Sequence, residues 1–584
     1  MYTSIDIETT GLNQRSDLIF SYCVGYPSGK VLVKRSFDKE FLQKYFDNVS
    51  IKKICHNFKF EYSFFKHSGI IINKKTIWHD TMIMAKLLHN LKHSYKLEDL
   101  WFEYDDDADL TIDKKVKQQA TCRGDRYDRV DKDLFYEYQT MDGWRPMLLF
   151  NLFYPEIKKD PQLFLEYQNE IEFTKVCIKM EDEGICVDVK ETQDLISYLK
   201  KEINKIHDEV YKLEGIFINL NSDIKIKELL YTKYKLPVIK LTKTKKPAVD
   251  KDVILELLEK YPQYSPLFNL ILKIRSYTTG CSILSSYLEF KDCNNIIHPN
   301  LQPNEARTGR PSCRKPNLLN VSKEDVRKNP YPVQARKCFC AKPGFILYFG
   351  DYSGLQMRLI ADACDEKEMI EIINQGGDVH KIPTELFYSG VKNPIVKEDV
   401  LDSKIWKTYR GAGKNANFAM PFGSGVLNLS KVLMLPLDVT QIGVERYKQR
   451  FPRVSSFSKF MIAQVKEFGY VKTHFGRKLY VLKDKAYMGA NYFIQGDEAG
   501  LMKRAIVLID KYFEEKWDKR VRLILDIYDE IIFTLPLELE QKEQEIVNHV
   551  TFLMTHIPEI KIRLDTQWKK SKTNWYKAKR FKLK

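Results

Sequence analysis

Asp6 and Glu8 stand two residues apart in SIDIETTGL. In a strand, residues i and i+2 project from one face, so the two carboxylates point together, just ahead of a glycine turn. Paired hard oxygens at a strand end are a simple way to hold a divalent cation, although D-x-E alone more often marks a solvated strand end. Three further segments add to the pair. HNFKFEYSFF (56–65) places Glu61 in an aromatic, buried-looking helix, and WHDTM (78–82) places Asp80 where an element begins. YQTMDG (138–143) sets Tyr138 and Asp142 four apart, on one helical face. A tyrosine hydroxyl beside a carboxylate–metal cluster can orient a water. Two metal ions bridged by carboxylates stabilise the attacking and leaving oxygens of a phosphodiester in cleavage. Asp80 reads better as a helix cap.

A second set lies in the other half of the chain. Asp351 ends an apolar strand in YFGDYSGLQMRLIAD, and Asp529 and Glu530 interrupt LILDIYDEIIFTL (523–535). A buried, isolated carboxylate is too costly to persist in charged form. Two of them at one sheet face make sense if cations neutralise them, and the strand then ends in a metal-bearing turn. A satisfied buried Asp pair explains either motif alone, but not what lies between them. YRGAGKNANFAMPFGSG (409–425) spaces Arg410, Lys414, Phe418 and Phe422 by four, so a helix puts all four along one drifting stripe. Cations suit a triphosphate and its departing pyrophosphate, and Phe418 suits a sugar or base. Gly411 and Gly413 each cost about 1 kcal/mol in a helix interior, which fits an element that approaches a ligand closely or moves.

The elements that position these residues read as follows. Residues 1 to about 155 mix strand-like runs (18–26, 31–34) with helical patterns, an α/β domain. EYDDDADL (103–110), followed by a basic stretch, reads as a solvated loop in preference to a metal site. From about 165 to 290 the signal is helical, broken by a basic loop, KLTKTKKP (240–247), and 291–330 looks extended. A strand at 345–353 leads into helical patterning from 355 to 515, then a strand pair, a helix near 540–556 and a basic tail (569–584) expected to be a frayed, solvated end.

The 584 residues include 94 Lys and Arg against 78 Asp and Glu, a formal charge of +16, with 44% hydrophobic residues. That balance excludes a disordered chain and is compatible with a polyanionic partner. Eleven cysteines without a C-x-x-C pair point to a reducing compartment, with neither a disulfide framework nor a zinc site. No apolar run approaches the length of a membrane span, and no signal peptide opens the chain. A cytoplasmic protein is expected.

The first set resembles the DnaQ-like 3′→5′ proofreading exonucleases with a tyrosine in their third motif: Asp6 and Glu8, then Asn57-x-Lys59-Phe60-Glu61, then Tyr138-x-x-x-Asp142. The family usually has Asp where this chain has Glu61, a departure that bears on second-metal binding. The second set resembles motifs A, B and C of the family A DNA polymerases. ARTGRPSCRKPNLLNV (306–321), INLNSDIKIKELL (218–230) and FIQGDEAGLMKRA (493–505) resemble further segments of that family.

The resemblance implies an α/β and α+β multidomain fold: an RNase H-like exonuclease domain (1–155) followed by a right-hand polymerase (156–584). Its thumb would span about 190–300, its palm about 300–365 and 490–584, and its fingers about 366–490. The implied cofactor is Mg²⁺, two ions at each site, with Mn²⁺ as substitute. Asp351, Asp529 and the Tyr352 carbonyl would hold them at the polymerase site; Asp6, Glu8, Glu61 and Asp142 at the exonuclease site, where Tyr138 assists. Lys414 and Arg410 would take the phosphates, with Lys414 protonating pyrophosphate. Gln356, Phe418 and Phe422 would meet the nucleotide. Arg310, Asn491 and Gln495 would meet the primer or template, with Tyr528 and Glu530 beside them.

Motif A normally ends in Glu where this chain has Gln356, and the motif B tyrosine is here Phe422. Discrimination against rNTPs is expected to weaken modestly, and Phe418 predicts poor use of dideoxynucleotides. Tyr528 replaces the family's histidine and keeps an aromatic. The early position of Asp6 leaves no room for a preceding 5′ nuclease, and no long thumb insertion suggests a thioredoxin-type clamp. A phage replicative polymerase, a monomer acting on primer–template DNA and dNTPs beside replisome proteins such as a helicase or single-strand-binding protein, is the expectation. The rivals are a single-subunit RNA polymerase-like enzyme and a catalytically decayed DNA-binding protein.

Overall fold

A computed structural model of the protein describes residues 1–321, 329–388 and 403–583. The extended reading at 322–328 and the helical reading at 389–402 lie outside the described residues.

Five strands form the amino-terminal sheet: β1 (Tyr2–Thr9), β2 (Ile19–Gly25), β3 (Val31–Lys34), β4 (Lys52–Cys55) and β5 (Trp78–Asp80). Their order is β3-β2-β1-β4-β5. β1 runs antiparallel to β2 and parallel to β4, and β4 runs parallel to β5. Parallel neighbours need a crossover, and helix α1 (Phe58–His67) supplies the one between β4 and β5. Alternation along β1 buries Ile5 and Ile7 and turns Asp6 and Glu8 to the other face. Phe46, Phe58, Phe65 and Trp78 fill the core behind.

Asp80 caps helix α2 (Thr81–Leu88) through Ile83 N at 3.0 Å and also accepts from Phe58 N at 2.7 Å. Both helix starts it ties down carry orphan amides that a carboxylate satisfies. The run of aspartates at 105–109 forms the loop expected of it, with Asp105 accepting from Trp101 Nε1 and Asp109 from Thr111 N. Helix α3 (Lys132–Lys159) packs across the sheet. A Cβ at Gly143 would stand 2.6 Å from Val31 Cγ1 and 2.9 Å from Cys23 Sγ, so glycine lets this helix approach closely enough to bring Asp142 beside β1.

Helix α4 (Pro161–Glu183), capped by Asp160, leads to two long packed helices, α5 (Val189–Glu214) and α6 (Ser265–Phe290). The second large sheet holds β6 (Phe345–Tyr352), β7 (Arg522–Ile527), β8 (Glu530–Pro536), β9 (Thr566–Ser571) and β10 (Lys579–Phe581). Its order, β7-β8-β6-β9-β10, puts β6 at the centre with antiparallel neighbours. Helix α7 (Leu355–Cys364) follows β6, helix α8 (Ser403–Ala419) carries the central basic motif, and helix α9 (Gly489–Trp517) precedes β7.

Three expectations need correction. The basic tail is not frayed: Trp568, Trp575 and Phe581 are buried, and the Trp568 indole donates to Thr551 Oγ1 at 2.8 Å. Lysines alternate with these aromatics, so the strands present charge outward and rings inward. Phe422 is not on the helical stripe, because α8 ends at Ala419 and Phe422 lies in the following turn. Within the stretch read as helical, Tyr470–Lys472 and Lys478–Tyr480 pair as a short hairpin. Among the described residues no helix is long and apolar enough to cross a membrane.

Candidate active sites

At the amino-terminal site, β1 supplies Asp6 and Glu8 and α3 supplies Asp142. One ligand oxygen from each lies within 4.8 Å of the others. The Tyr138 ring lies one turn before Asp142, and its hydroxyl influences the protonation of both Glu8 and Asp142. Burial raises the Asp6 carboxyl well above the usual range, and the charges of Asp142, Glu61 and Glu8 add to it. Glu8 is pushed up to about 8 by burial and then by the Asp142 charge, with the Tyr138 hydroxyl drawing it down. Three crowded hard-oxygen donors that resist ionising together fit a divalent cation. Glu61 is buried on α1, and its charge reaches Asp6, but it falls outside the three-acid cluster. Its Oε2 has no hydrogen-bond partner among the described residues.

Sequence reading missed Arg145. It is 1% exposed, lies 4.3 Å over the Trp101 ring, and donates Nη1 to Asp142 Oδ1 at 2.9 Å. It also grips both oxygens of Asp113 at 2.7 Å. Asp142 rises only to about 6: burial lifts it, and Arg145 pulls it down. The i,i+3 spacing from Asp142 was a signal, but its second partner sits on a different helix.

At the carboxy-terminal site, Asp351 lies at the end of β6 opposite Glu530 of β8. β7 and β8 form a hairpin turning through Tyr528 and Asp529, with Tyr528 in the left-handed region at φ 59°. The Tyr352 amide donates to the Asp529 carbonyl at 3.1 Å, which brings the end of β6 and the β7–β8 turn together, so the two aspartates lie at the same end of the sheet. Glu530 is buried and pairs with Arg336 at 3.7 Å, while Tyr528 is exposed. The Tyr352 hydroxyl donates to Met554 O at 2.6 Å and anchors the strand end. Carboxylates at one end of a sheet are again a hard-oxygen set that fits divalent cations.

Helix α8 brings cations toward them. Lys414 is exposed; partial desolvation and the Arg410 charge hold its ammonium below the usual lysine range, while Asp378, Asp351 and Asp529 pull it back. Arg410 is held by Asp378, with Nη2 donating at 2.9 Å. Lys414 also lies 5.7 Å over the Phe418 ring. Gly413 has a packing explanation, because a Cβ there would stand 2.2 Å from Thr384 Oγ1.

Gln495 and Asn491 share one face of α9, joined at 2.9 Å, and Thr308 donates to Gln495 at 3.4 Å. Gln356 in the first turn of α7 donates to Glu498 at 3.1 Å, and Arg310 donates to the same oxygen. Glu498 was the second residue missed, one of two adjacent buried acids on α9.

The sequence model of DNA polymerase family A matches residues 189–577, and that of a 3′-5′ exonuclease matches residues 2–156. DNA polymerase I of Borreliella burgdorferi is 25% identical over 572 residues, which are 94% of this chain and 59% of that protein. DNA polymerase I of Helicobacter pylori is 28% identical over 536 residues, 88% of this chain and 55% of its own. Thermostable DNA polymerase I of Thermus aquaticus is 28% identical over 406 residues, 66% and 46%. The chain thus spans about half the length of these relatives. A solved structure described as the POL domain of Pol1 from M. smegmatis, in complex with DNA primer-template and dNTP, superposes with a TM-score of 0.82 at 21% identity. It covers 99% of this chain and 96% of its own, so the fold is shared from end to end. With two thirds of its length accounted for by that family's pattern and an exonuclease fold ahead of it, this chain belongs to DNA polymerase family A.

Proposed function

We propose that this protein is a template-directed DNA polymerase that adds dNTPs to a primer 3′ end and proofreads with a 3′→5′ exonuclease. The observation that carries the reading is the placing of Asp351 and Asp529 at the same end of one sheet, with Lys414 of α8 within reach of both charges. Mg²⁺ would be held by Asp351, Asp529 and the Tyr352 carbonyl at one site and by Asp6, Glu8, Glu61 and Asp142 at the other; when bound, it acidifies the attacking hydroxyl or water and neutralises phosphate charge. Mn²⁺ shares this chemistry.

Lys414 and Arg410 bind the triphosphate, and Lys414, its ammonium already softened, gives a proton to the departing pyrophosphate. Arg410 must leave Asp378 to do so. Phe418 and Phe422 pack against the nucleotide, and Gln356 crowds a ribose 2′-hydroxyl. Arg310, Asn491, Gln495 and Tyr528 follow the primer–template, and Glu530 fixes the base of the turn through Arg336. At the exonuclease, Tyr138 orients the attacking water. The long pair α5 and α6 serves as thumb, the sheet around β6 as palm, and the α8 region as fingers. A monomeric phage replicative enzyme in the host cytoplasm, working beside a helicase and single-strand-binding protein, fits this compact pairing of activities.

Primer extension with Mg²⁺ and dNTPs, rNTPs or no nucleotide tests the whole reading. Extension with dNTPs, little with rNTPs, and shortening of the primer without nucleotide are the expected results. Equal extension with rNTPs would favour an RNA polymerase-like enzyme, and neither extension nor shortening would leave a DNA-binding protein.

A further inference from the structure

Glu498 sits on α9, 4% exposed, beside a second buried acid, Asp497. A buried carboxylate is retained only where donors satisfy it. Its neighbour Asp497 faces elsewhere and binds His474, accepting from the backbone N at 2.8 Å and pairing with Nδ1 at 2.5 Å. Glu498 instead offers Oε2 to two donors from different parts of the chain: Gln356 Nε2 at 3.1 Å and Arg310 Nη2. Arg310 in turn lies 5.7 Å over the Tyr528 ring, and its buried Nε has no hydrogen-bond partner among the described residues. Tyr528 is fixed from behind by its hydroxyl on Asn320 Oδ1 at 3.2 Å. One carboxylate oxygen therefore ties together two side chains that, on the polymerase reading, meet the nucleotide and the primer end.

We propose that Glu498 is a positioning residue for sugar selection: it holds Gln356 and Arg310 in a fixed relation and requires an amide, not an acid, at position 356. This rests on the polymerase reading above. The amide NH₂ of Gln356 donates to Glu498; an ionised acid there has no proton to donate and brings a second negative charge to the same oxygen. One guanidinium would then face two carboxylates. The unusual glutamine of motif A and the buried glutamate of α9 are thus two halves of one hydrogen bond.

The test compares the parent with Q356E, E498Q and Q356E/E498Q, using single-nucleotide incorporation of dATP and rATP and thermal unfolding without DNA. Q356E is expected to lower kcat/KM for dATP about tenfold, chiefly in kcat, to narrow the dATP/rATP preference, and to unfold at lower temperature. Exchanging acid and amide in Q356E/E498Q restores a donor–acceptor pair and returns both readouts to within about threefold of the parent. E498Q alone keeps a bond to Gln356 but removes the charge that holds Arg310, so it shifts the dATP/rATP ratio by about threefold while unfolding changes little. Overturning results are a Q356E protein equal to the parent in both assays, or a Q356E defect that E498Q leaves unmoved. If no variant and not even the parent extends a primer, the polymerase reading falls and sugar selection with it, while the unfolding comparison still decides whether 356 and 498 are coupled.

Discussion

At the amino-terminal site the acids and their counter-cation are built into one small domain. Asp142 and Arg145 lie three residues apart on α3, and the guanidinium is locked by Asp113 and stacked on Trp101. At the carboxy-terminal site the acids lie at the ends of β6 and of the β7–β8 hairpin, and the cations come from a separate element, α8. Arg410 is meanwhile occupied by Asp378 on its own side. The first site draws its acids and its one guanidinium from a single domain. The second draws its acids from a sheet and its cations from a separate helix, an arrangement that suits a site that must test a nucleotide before reacting. Asp351→Ala or Asp529→Ala should reduce extension by about a thousandfold and leave primer shortening intact. Asp6→Ala should do the reverse, and a radiolabelled primer followed with and without dNTPs reads both. Loss of both activities from one substitution would end the claim of two independent centres.

The next largest effect is expected at Arg145. Removing it leaves Asp113 and Asp142 facing each other's charge in a buried setting, and breaking such a pair costs about 3–5 kcal/mol. Arg145→Met should lower the unfolding temperature of the amino-terminal domain and raise the Mg²⁺ concentration needed for primer shortening, with extension by the other site little changed. Calorimetry with and without Mg²⁺ checks it; an unfolding profile equal to the parent's would mean that the guanidinium is not the counter-charge of this cluster.

What was legible locally was the strand setting of Asp6, Glu8 and Asp351, while the joining of Asp142 to the first pair and of Asp529 to Asp351 rested on the resemblance. Ile5 and Ile7 alternate with Asp6 and Glu8, and Asp351 and Asp529 each end an apolar run, so local periodicity places them. Arg145 and Glu498 were not legible, since the partners that explain them, Asp113, Gln356 and Arg310, come from other elements. Packing rather than propensity decided two more features. Gly413 is glycine because Thr384 presses on it. The lysine-rich tail is ordered because Trp568 and Trp575 reach the core, a pattern that charge content conceals.

The smallest expected effect separates the sites by pH. In the unfolded chain Glu8 titrates at 4.5, whereas in the folded, metal-free cluster burial and the charge of Asp142 push it up to about 8. Asp142 is likewise raised from 3.8 to about 6. Between these values the folded state binds more protons than the unfolded one, so stability falls as pH rises. The stabilising effect of protonation is full below 4.5 and lost by the time pH passes about 8. Metal-free protein should therefore be less stable at pH 8 than at pH 6, by about 1–3 kcal/mol once coupling among the acids is allowed for, and thermal unfolding at the two pH values reads the difference. Glu8→Gln should flatten that slope, and so should saturating Mg²⁺, which replaces the protons as counter-charge. No comparable slope is expected to vanish in Asp351→Asn, and if it did, the crowding that distinguishes the first cluster from the second would have been assigned to the wrong site.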